Sequence, residues 1–253
     1  MAPNWGAYWY NALTLRIYDA WVLGFNMGTV WGCRTAEVLL PLFCNNFSRR
    51  HLDIGVATGY FPSAALSHLQ SISSSTPFIS SDSDRTPPQE ITLMDLNTSS
   101  LKTAKGRIEA DHPWRRRQAV RIDLVQGDVL GPIPEALPDG KKFDSISMFN
   151  LLHCIPGPPE RKTAAFGLAA QILAEDGILF GNTVLGWRYM GWWNPLAWLT
   201  MIAFNLVGAF GNWEDSVEVF EAGLRREFEE VETEVVGQML LFRARRPRRD
   251  RQH

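Results

Sequence analysis

The chain has 253 residues, of which 45% are apolar and 21% charged, and its formal net charge is −2. These values are ordinary for one large or two small globular domains with a sizeable core, and they give no indication of nucleic-acid binding. Ten tryptophans are the unusual feature, and they indicate either a dense core or a pocket lined with aromatic rings.

The cysteines and the N-terminus favour a cytoplasmic protein. Cys33, Cys44 and Cys154 fit neither a zinc-binding pattern nor a set of paired disulfides, so we expect free thiols and no metal site. The first 21 residues lack a basic stretch followed by an unbroken apolar run, which argues against a signal peptide.

Strands and helices alternate along most of the chain. After an aromatic-rich helical segment over residues 1–48, five strands are predicted over 51–56, 90–97, 119–129, 141–150 and 178–186. Helices are predicted over 62–70, over 99–110 with a serine cap, and over 160–177, where Gly177 ends the helix. A helix over 214–230 and a hairpin turning at Gly237-Gln238 complete a domain over 49–245. The alternation favours a parallel sheet with helices on both faces and one antiparallel edge.

Two segments differ in composition from this pattern. Residues 71–89 are rich in Ser, Thr, Pro and Asp, which predicts a flexible surface insertion. Residues 246–253 are strongly basic and are predicted to form a disordered tail, with nuclear targeting or contact with an anionic membrane as alternatives.

The stretch from Tyr189 to Trp213 holds no charged residue. A membrane span is disfavoured, because Asn194-Pro195 has the form of a helix start and the run from there to Val207 is shorter than the ~20 residues that a bilayer requires. We predict instead that residues 187–213 form a lid over a substrate. Peripheral contact with a membrane stays open.

Small and acidic residues stand where the predicted strands end, and in an open parallel sheet a ligand binds beyond those ends. Glycines let the backbone approach a ligand, and a carboxylate after the second strand suits the two hydroxyls of a ribose. A carboxylate after the third strand suits an exocyclic amine, and one beside the glycine turn suits an ammonium group. The residues are Asp53, Gly55, Ala57, Gly59, Asp95, Asp128, Asn150 and His153. Together they describe a ligand with a purine, a ribose and a positively charged end.

Two common nucleotide sites do not match the glycine turn. A dinucleotide loop needs a third glycine at the helix start, whereas Gly59 is followed by the bulky Tyr60 and Phe61. A P-loop is excluded because no Gly-Lys-Ser/Thr is present there. The turn therefore does not predict a pyrophosphate site.

With these motifs in order, residues 50–245 resemble the class I S-adenosylmethionine-dependent methyltransferases. LDIGVATGYF resembles the first motif of the family, LMDLN the second, GDVLGPIP the third, and FDSISMFNLLHCIPG the fourth strand with its loop. The resemblance implies a Rossmann-like α/β fold with a seven-stranded, mostly parallel sheet and an antiparallel terminal hairpin. It also implies S-adenosylmethionine as cofactor and S-adenosylhomocysteine as product.

The resemblance assigns roles to individual residues. Asp53 is expected near the amino-acid end of the cofactor, Asp95 on the ribose and Asp128 near adenine. Tyr18 is expected either to close over the cofactor or to be an ordinary aromatic residue of a helix face. The full set expected at the cofactor is Tyr18, Asp53, Gly55, Ala57, Gly59, Tyr60, Asp95, Leu96, Asp128, Val129 and Asn150.

Ala57 departs from the family pattern, which has a glycine at this position. Alanine is the smallest replacement that carries a side chain, and it tolerates most backbone conformations except a positive φ. We therefore expect cofactor binding to survive if Ala57 has a negative φ. The long interval between Asp53 and Asp95 is explained by the insertion at 71–89.

His153 is the candidate general base, because it follows the fourth strand near the expected position of the transferred methyl group. The alternative is a histidine that only packs and forms hydrogen bonds. In this family the enzyme mainly holds the methyl group and the nucleophile in line, so a base helps only where the nucleophile must lose a proton.

The aromatic residues of the N-terminal segment and the lid predict a small apolar or aromatic acceptor. The expected pocket residues are Tyr10, Trp31, Trp187, Trp193 and Trp198. The function predicted is O- or N-methylation of such a metabolite in secondary metabolism. One alternative is an enzyme that uses the same fold for cyclisation or pericyclic chemistry without methylation, and another is a non-enzymatic binding partner. A nucleic-acid substrate is not expected, and the oligomeric state is not predicted.

Overall fold

One seven-stranded sheet organises the protein. The computed structural model describes residues 19–75, 88–113, 120–137 and 140–249. The strands are β1 (Arg50–Ile54), β2 (Glu90–Asp95), β3 (Arg121–Gln126), β4 (Phe143–Phe149), β5 (Leu173–Val184), β6 (Phe228–Val236) and β7 (Met239–Pro247). Their order in the sheet is β3-β2-β1-β4-β5-β7-β6. The first five strands are parallel, and β7 runs antiparallel to both β5 and β6. The predicted fold class is confirmed.

Helices cover both faces of this sheet, as predicted. They are α1 (Asp19–Val30) and α2 (Thr35–Leu39), both with π-type hydrogen bonding, followed by α3 (Leu40–Asn46), α4 (Tyr60–Ser75), α5 (Thr98–Asp111), α6 (Pro159–Lys162), α7 (Ala164–Ile172), α8 (Pro195–Leu206) and α9 (Val217–Glu227). One apolar core lies between the sheet and α1, α3, α4, α5 and α8, and the other between the sheet and α7 and α9. Because both faces are covered, β2 and β4 are buried almost throughout.

Two helix boundaries differ from the prediction. The cap of α5 is Asn97, whose side chain accepts a hydrogen bond from the Ser99 N–H at 2.8 Å, and not a serine. The helix expected to end at Gly177 ends at Ile172, because Leu173 already pairs with Phe143 in the sheet. The register then shifts, so that Ile178 pairs with Ser145 and the residues between form a bulge.

The two segments of unusual composition are partly ordered. Helix α4 runs to Ser75 and so includes the first residues of the predicted insertion, whereas residues 76–87 lie outside the described part. At the other end, β7 continues to Pro247, and the guanidinium of Arg249 donates to the carbonyls of Ala170 and Leu173 at 3.2 and 2.7 Å. The disordered tail predicted over 246–253 is therefore wrong for residues 246–249, because β7 extends to Pro247 and Arg248 and Arg249 donate to backbone carbonyls.

The predicted lid is built on α8. Its start follows the prediction, with the Asn194 side chain accepting from the Ala197 N–H at 3.0 Å and Pro195 in the first turn. Within the described residues, no helix has both the length and the apolar character that crossing a membrane requires.

Candidate active site

The glycine turn after β1 has the conformation that a close backbone approach requires. Gly55 has φ 79° and Gly59 has φ 72°, which is the left-handed region that side chains disfavour. A Cβ atom on Gly55 would lie 2.8 Å from the Leu151 side chain, and one on Gly59 would lie 2.8 Å from the backbone of Ala104. Both positions therefore require glycine for conformation as well as for space.

Ala57 lies in the same turn and also has a positive φ, of 45°. Cofactor binding was expected to survive if Ala57 had a negative φ, and the structure does not meet this condition. The left-handed region costs an alanine roughly 1–2 kcal/mol, so the turn holds a strained residue. The Asp95 carboxylate of β2 faces this turn, and the backbone N–H groups of Val56 and Ala57 lower its pKa.

Asp53 is a buried carboxylate at the end of β1. It is only 4% exposed, and the Ser147 hydroxyl donates to its Oδ1. Burial raises the pKa of Asp53 to about 7; the Ser147 hydrogen bond opposes this rise and the Asp95 charge adds to it. Two carboxylates that repel each other at one sheet edge are a site suited to a cation. The ammonium group of S-adenosylmethionine fits this requirement.

The next two carboxylates stand in different surroundings. Asp95 is half-buried, and burial raises its pKa, while the backbone N–H groups of Asn97, Ala57 and Val56 oppose that rise. Asp128 is exposed, and its Oδ1 accepts from the Leu130 N–H at 2.9 Å. Each carboxylate thus keeps acceptor capacity for a ligand, and they end neighbouring strands of the sheet.

The hydrophobic neighbours of these carboxylates are placed differently. Leu96 is exposed, whereas Val129 is buried. Tyr60 is half-buried under the guanidinium of Arg107, which lies 5.3 Å from its ring centroid. Tyr18 and Tyr10 lie outside the described residues, so their predicted roles stay predictions.

Asn150 ends β4 in the left-handed region, with φ 53°. A pair of hydrogen bonds to Asn182 of β5 holds it there. Its N–H donates to Asn182 Oδ1 at 3.0 Å, and its Oδ1 accepts from Asn182 Nδ2 at 2.9 Å. The predicted residue Asn150 is therefore positioned by Asn182, which the sequence reading had not singled out.

The first helix is fastened to the glycine turn through Asp19, another residue that the sequence reading missed. The Thr58 hydroxyl donates to Asp19 Oδ1 at 2.6 Å, and Arg107 of α5 forms an ion pair with Asp19 Oδ2. This cluster fixes the start of α1 beside the expected amino-acid end of the cofactor. This cluster could not be predicted from the sequence, because Asp19, Thr58 and Arg107 come from three separate parts of the chain.

His153 lies in a short helical turn after β4 and is 3% exposed. The Val184 N–H donates to its Nδ1 at 3.2 Å, and the Thr183 hydroxyl lies 3.3 Å from the same atom. Burial, together with the charge of Lys162, lowers the pKa of His153 to about 3. A neutral ring that accepts at Nδ1 carries its proton on Nε2, so it presents a donor and not a base.

An aromatic cluster, made of Trp31, His153, Phe204 and Phe210, joins the N-terminal segment to the lid. The Phe210 ring lies 4.4 Å from the His153 ring, 4.9 Å from Phe204 and 6.0 Å from Trp31, measured between centroids. Trp31 is 1% exposed. Trp198 is half-buried and packs against the apolar core that contains Trp31. Phe210 was missed because it lies in an apolar stretch without any periodic signal.

Two of the five residues predicted for the substrate pocket point elsewhere. Trp187 is 40% exposed and lies beside the Arg188 guanidinium, and Trp193 is 73% exposed and packs edge-on against Trp192. Neither ring is enclosed in this structure, and the Trp193 ring lies over Gly191.

A buried ion pair fixes the base of the lid. Lys162 Nζ lies 2.7 Å from both carboxylate oxygens of Asp215, and both side chains are fully buried. Lys162 also donates to the Gly211 carbonyl at 2.8 Å, and the Gly211 N–H donates to the His153 carbonyl at 2.8 Å. The pair therefore sets the position of Phe210 against His153.

The fold and the strand-end site define the class of protein: an enzyme with the class I methyltransferase fold and an acidic, glycine-lined cofactor site. No protein-family model matches the chain. Among solved structures, the N-methyltransferase NodS of Bradyrhizobium japonicum, determined with S-adenosylhomocysteine, superposes with a TM-score of 0.55 at 15% identity, covering 93% of this chain and 98% of that one.

Sequence relatives identify the family. Over 252 residues the chain is 40% identical to the O-methyltransferase NEC2 of Pyricularia oryzae, covering 92% of this chain and 89% of that protein. It is 37% identical to the physcion biosynthesis cluster O-methyltransferase of Aspergillus chevalieri, covering 94% of each. The chain belongs to the S-adenosylmethionine-dependent methyltransferases, and S-adenosylmethionine is its cofactor. The enzyme class and the cofactor predicted from the sequence are confirmed.

Proposed function

We propose that this methyltransferase transfers a methyl group to a hydroxyl oxygen of a small aromatic or otherwise apolar metabolite. The observation that carries the proposal is the aromatic cluster around His153, which combines apolar walls with one N–H donor. Two relatives that align over most of the chain are named O-methyltransferases, and one of them belongs to a biosynthesis cluster. Both facts favour an oxygen acceptor in secondary metabolism.

The cofactor would be held by the strand-end residues. When bound, S-adenosylmethionine supplies a methyl group on a positively charged sulfur. Asp53 would pair with its ammonium group, Asp95 with its ribose, and Asp128 with its adenine. Gly55 and Gly59 would give the turn the backbone conformation that the site requires, and Asn150 would line the site from the end of β4.

His153 would act on the acceptor as a hydrogen-bond donor. The Val184 N–H occupies Nδ1, so the proton on Nε2 is the one available to an acceptor oxygen. A donor at that oxygen stabilises its ionised form and holds it in place for attack on the methyl carbon. Because His153 would donate and not accept, the acceptor would lose its proton to solvent before it enters the pocket, and the His153 hydrogen bond would then hold the ionised oxygen.

Trp31, Phe204 and Phe210 would form the apolar wall that excludes water from the acceptor. Trp198 would support this wall from α8, where it packs against the same core. The enclosed rings favour a flat, apolar acceptor over a peptide or a nucleic acid. Contact of the exposed lid residues with a membrane surface stays a prediction.

A matched pair of acceptors tests the proposal. The enzyme is incubated with labelled S-adenosylmethionine and either 1-naphthol or 1-naphthylamine, which differ in the acceptor atom alone. We expect label in the ether product from the naphthol and much less in the amine. Preferential N-methylation would contradict the oxygen assignment. Label in neither product would count against methyl transfer to an aromatic acceptor of this size.

Two His153 variants separate a donor from a general base. His153→Gln keeps an N–H near the Nε2 position, whereas His153→Leu removes it. We expect kcat within about tenfold of wild type for glutamine and a loss of about 100-fold for leucine. Equal, near-complete loss in both variants would restore the role of a general base. S-adenosylhomocysteine affinity serves as the control and should be unchanged in both.

A further inference from the structure

A chain of buried polar groups runs behind the cofactor site. It connects Ser145, His51, Ser147 and Asp53, four residues that alternate along the neighbouring strands β1 and β4. His51 pairs in register with Ser145, and Asp53 with Ser147. In parallel strands such alternation places all four side chains on one face of the sheet. Each of the four is 4% exposed or less.

The proton positions along this chain of polar groups follow from the Asp53 carboxylate at its end. A carboxylate accepts, so the Ser147 hydroxyl must donate its proton to Asp53. The Ser147 oxygen, 3.1 Å from His51 Nε2, then accepts the His51 Nε2 proton. Nδ1 of the neutral ring is left as an acceptor, and the Ser145 hydroxyl donates to it at 2.8 Å. The Ser145 oxygen in turn accepts from the Ser48 N–H at 3.0 Å.

Every group in the chain is satisfied by one arrangement, in which all donors point towards Asp53. This arrangement requires a neutral His51 with its proton on Nε2. Rings enclose the imidazole: the centroids of Phe47, Phe43 and Phe180 lie 4.7, 5.3 and 6.0 Å from it. Burial in this apolar box lowers the pKa of His51 to about 3, so the ring stays neutral over the physiological range.

We propose that His51 and Ser147 are positioning residues that orient the Asp53 carboxylate and favour its ionised form for the ammonium group of the cofactor. Neither residue is placed to touch the cofactor itself; they act through Asp53. The inference rests on the proposed position of Asp53 at the amino-acid end of the cofactor, and it is independent of the acceptor.

The need for such a chain lies in the electrostatics of the site. Asp53 is buried, and it faces a second carboxylate, Asp95 of β2. Within the described part of the chain, the charge of Asp95 raises the pKa of Asp53 in addition to burial. Both effects favour the protonated acid, which cannot pair with an ammonium group. The Ser147 hydrogen bond opposes them. Without that bond Asp53 would be more protonated near neutral pH.

The test is the pH dependence of S-adenosylhomocysteine binding, measured by calorimetry between pH 6 and pH 9. For Ser147→Ala we expect about tenfold weaker binding than wild type at pH 6.5, since one pKa unit corresponds to a factor of ten. The ratio should shrink towards one as the pH rises, because Asp53 then ionises in both proteins. Ionisation of the ligand is common to all variants and cancels in the ratio.

Two further variants should weaken S-adenosylhomocysteine binding less than Ser147→Ala does. His51→Phe fills the same aromatic box and leaves the Ser147 hydroxyl able to donate, so we expect the same trend at about threefold. Ser63→Ala is the matched control. Its hydroxyl also contacts a carboxylate and a histidine, Asp111 and His112, but outside this chain of groups. Its ratio to wild type should stay near one at every pH.

A measurement on the wild-type protein covers the case in which a variant fails to fold. The ¹⁵N spectrum of the His51 ring should show Nε2 protonated and Nδ1 bare from pH 5 to pH 8. The opposite tautomer, or a charged ring, would overturn the proposal. So would a loss of affinity in Ser147→Ala that is the same at every pH, because a purely structural defect gives that result.

The placement of Asp53 at the ammonium group, on which the proposal rests, has its own test. If Asp53→Asn binds S-adenosylhomocysteine as tightly as wild type, then Asp53 is not at the ammonium group and the premise is wrong. If Asp53→Asn weakens binding while Ser147→Ala shows no pH-dependent change, then the premise stands and the positioning role is wrong.

Discussion

The two halves of the proposed active site are formed by different kinds of residues. The cofactor half consists of strand ends and one turn, with carboxylates and backbone groups fixed by hydrogen bonds to β1, β2, β4 and β5. The acceptor half consists of rings from distant parts of the chain, brought together by α1 and the lid. The first is set by local backbone geometry and the second by tertiary packing.

This difference means that the halves should respond to mutation independently. Changes at the strand ends should alter cofactor affinity and leave acceptor recognition intact. Changes in the aromatic cluster or the base of the lid should do the reverse. A shared response would show that the halves are one cooperative unit.

The largest effect is expected at the base of the acceptor half. Lys162→Met leaves the Asp215 carboxylate buried without its partner, so we expect a loss of about 3–5 kcal/mol in the free energy of unfolding. The double variant Lys162→Met/Asp215→Leu removes both charges and should recover most of that loss. Denaturant unfolding measures both. Equal instability of the single and double variants would contradict the account of the ion pair.

The next effect is expected in the cofactor half. Asp95→Ala removes the carboxylate proposed for the ribose and the acceptor for the turn N–H groups, so we expect S-adenosylhomocysteine to bind about 100-fold more weakly. Calorimetry measures the affinity. The exposed Asp128→Ala is the comparison and should cost about tenfold or less. Unchanged affinity in Asp95→Ala would overturn the placement of the ribose.

A smaller effect is expected at the wall of the acceptor pocket. Trp31→Leu removes a buried ring, and we expect the KM for an aromatic acceptor to rise about tenfold while S-adenosylhomocysteine affinity is unchanged. Steady-state kinetics with 1-naphthol measures the first quantity. Trp192→Leu changes a ring that is 85% exposed on the lid, and its KM should equal that of wild type. Equal effects of the two variants would argue against the enclosed pocket.

The smallest effect is expected at the glycine turn. Ala57→Gly removes the strain of φ 45° and adds the entropy cost of a glycine, so we expect stabilisation of less than about 1 kcal/mol. Thermal unfolding of the ligand-free protein measures it. Ala104→Gly, a buried position inside α5, should instead destabilise the protein. Destabilisation by Ala57→Gly would show that the turn does not strain this residue.

Much of the cofactor half could be predicted from the sequence. Strand ends and glycine turns can be recognised from a few neighbouring residues, and Asp95 does end β2 as expected. The start of α8 was also predictable, because Asn194 and Pro195 act on their own backbone. The positive φ of Ala57 was not predictable, because the turn faces a carboxylate 38 positions away along the chain and the local residues do not show how the two pack together.

The acceptor half was predicted in composition but not in arrangement. Ten tryptophans indicated an aromatic pocket, yet composition does not say which rings are enclosed, and Trp187 and Trp193 turned out to be exposed. Phe210 and Lys162 gained their importance from contacts between separate elements. His51 and Ser147 did leave a signal: each is a polar residue of a buried strand, His51 two positions before Asp53 in β1 and Ser147 two positions after Ser145 in β4.

The methylated position of an apolar acceptor tests the central claim most directly. The enzyme, S-adenosylmethionine carrying a ¹³C-labelled methyl group, and 1-naphthol are incubated together, and the product is examined by NMR. The account predicts one labelled methyl group bonded to oxygen, formed by wild type and strongly reduced in His153→Leu. A label on carbon, or equal yields from both proteins, would contradict it.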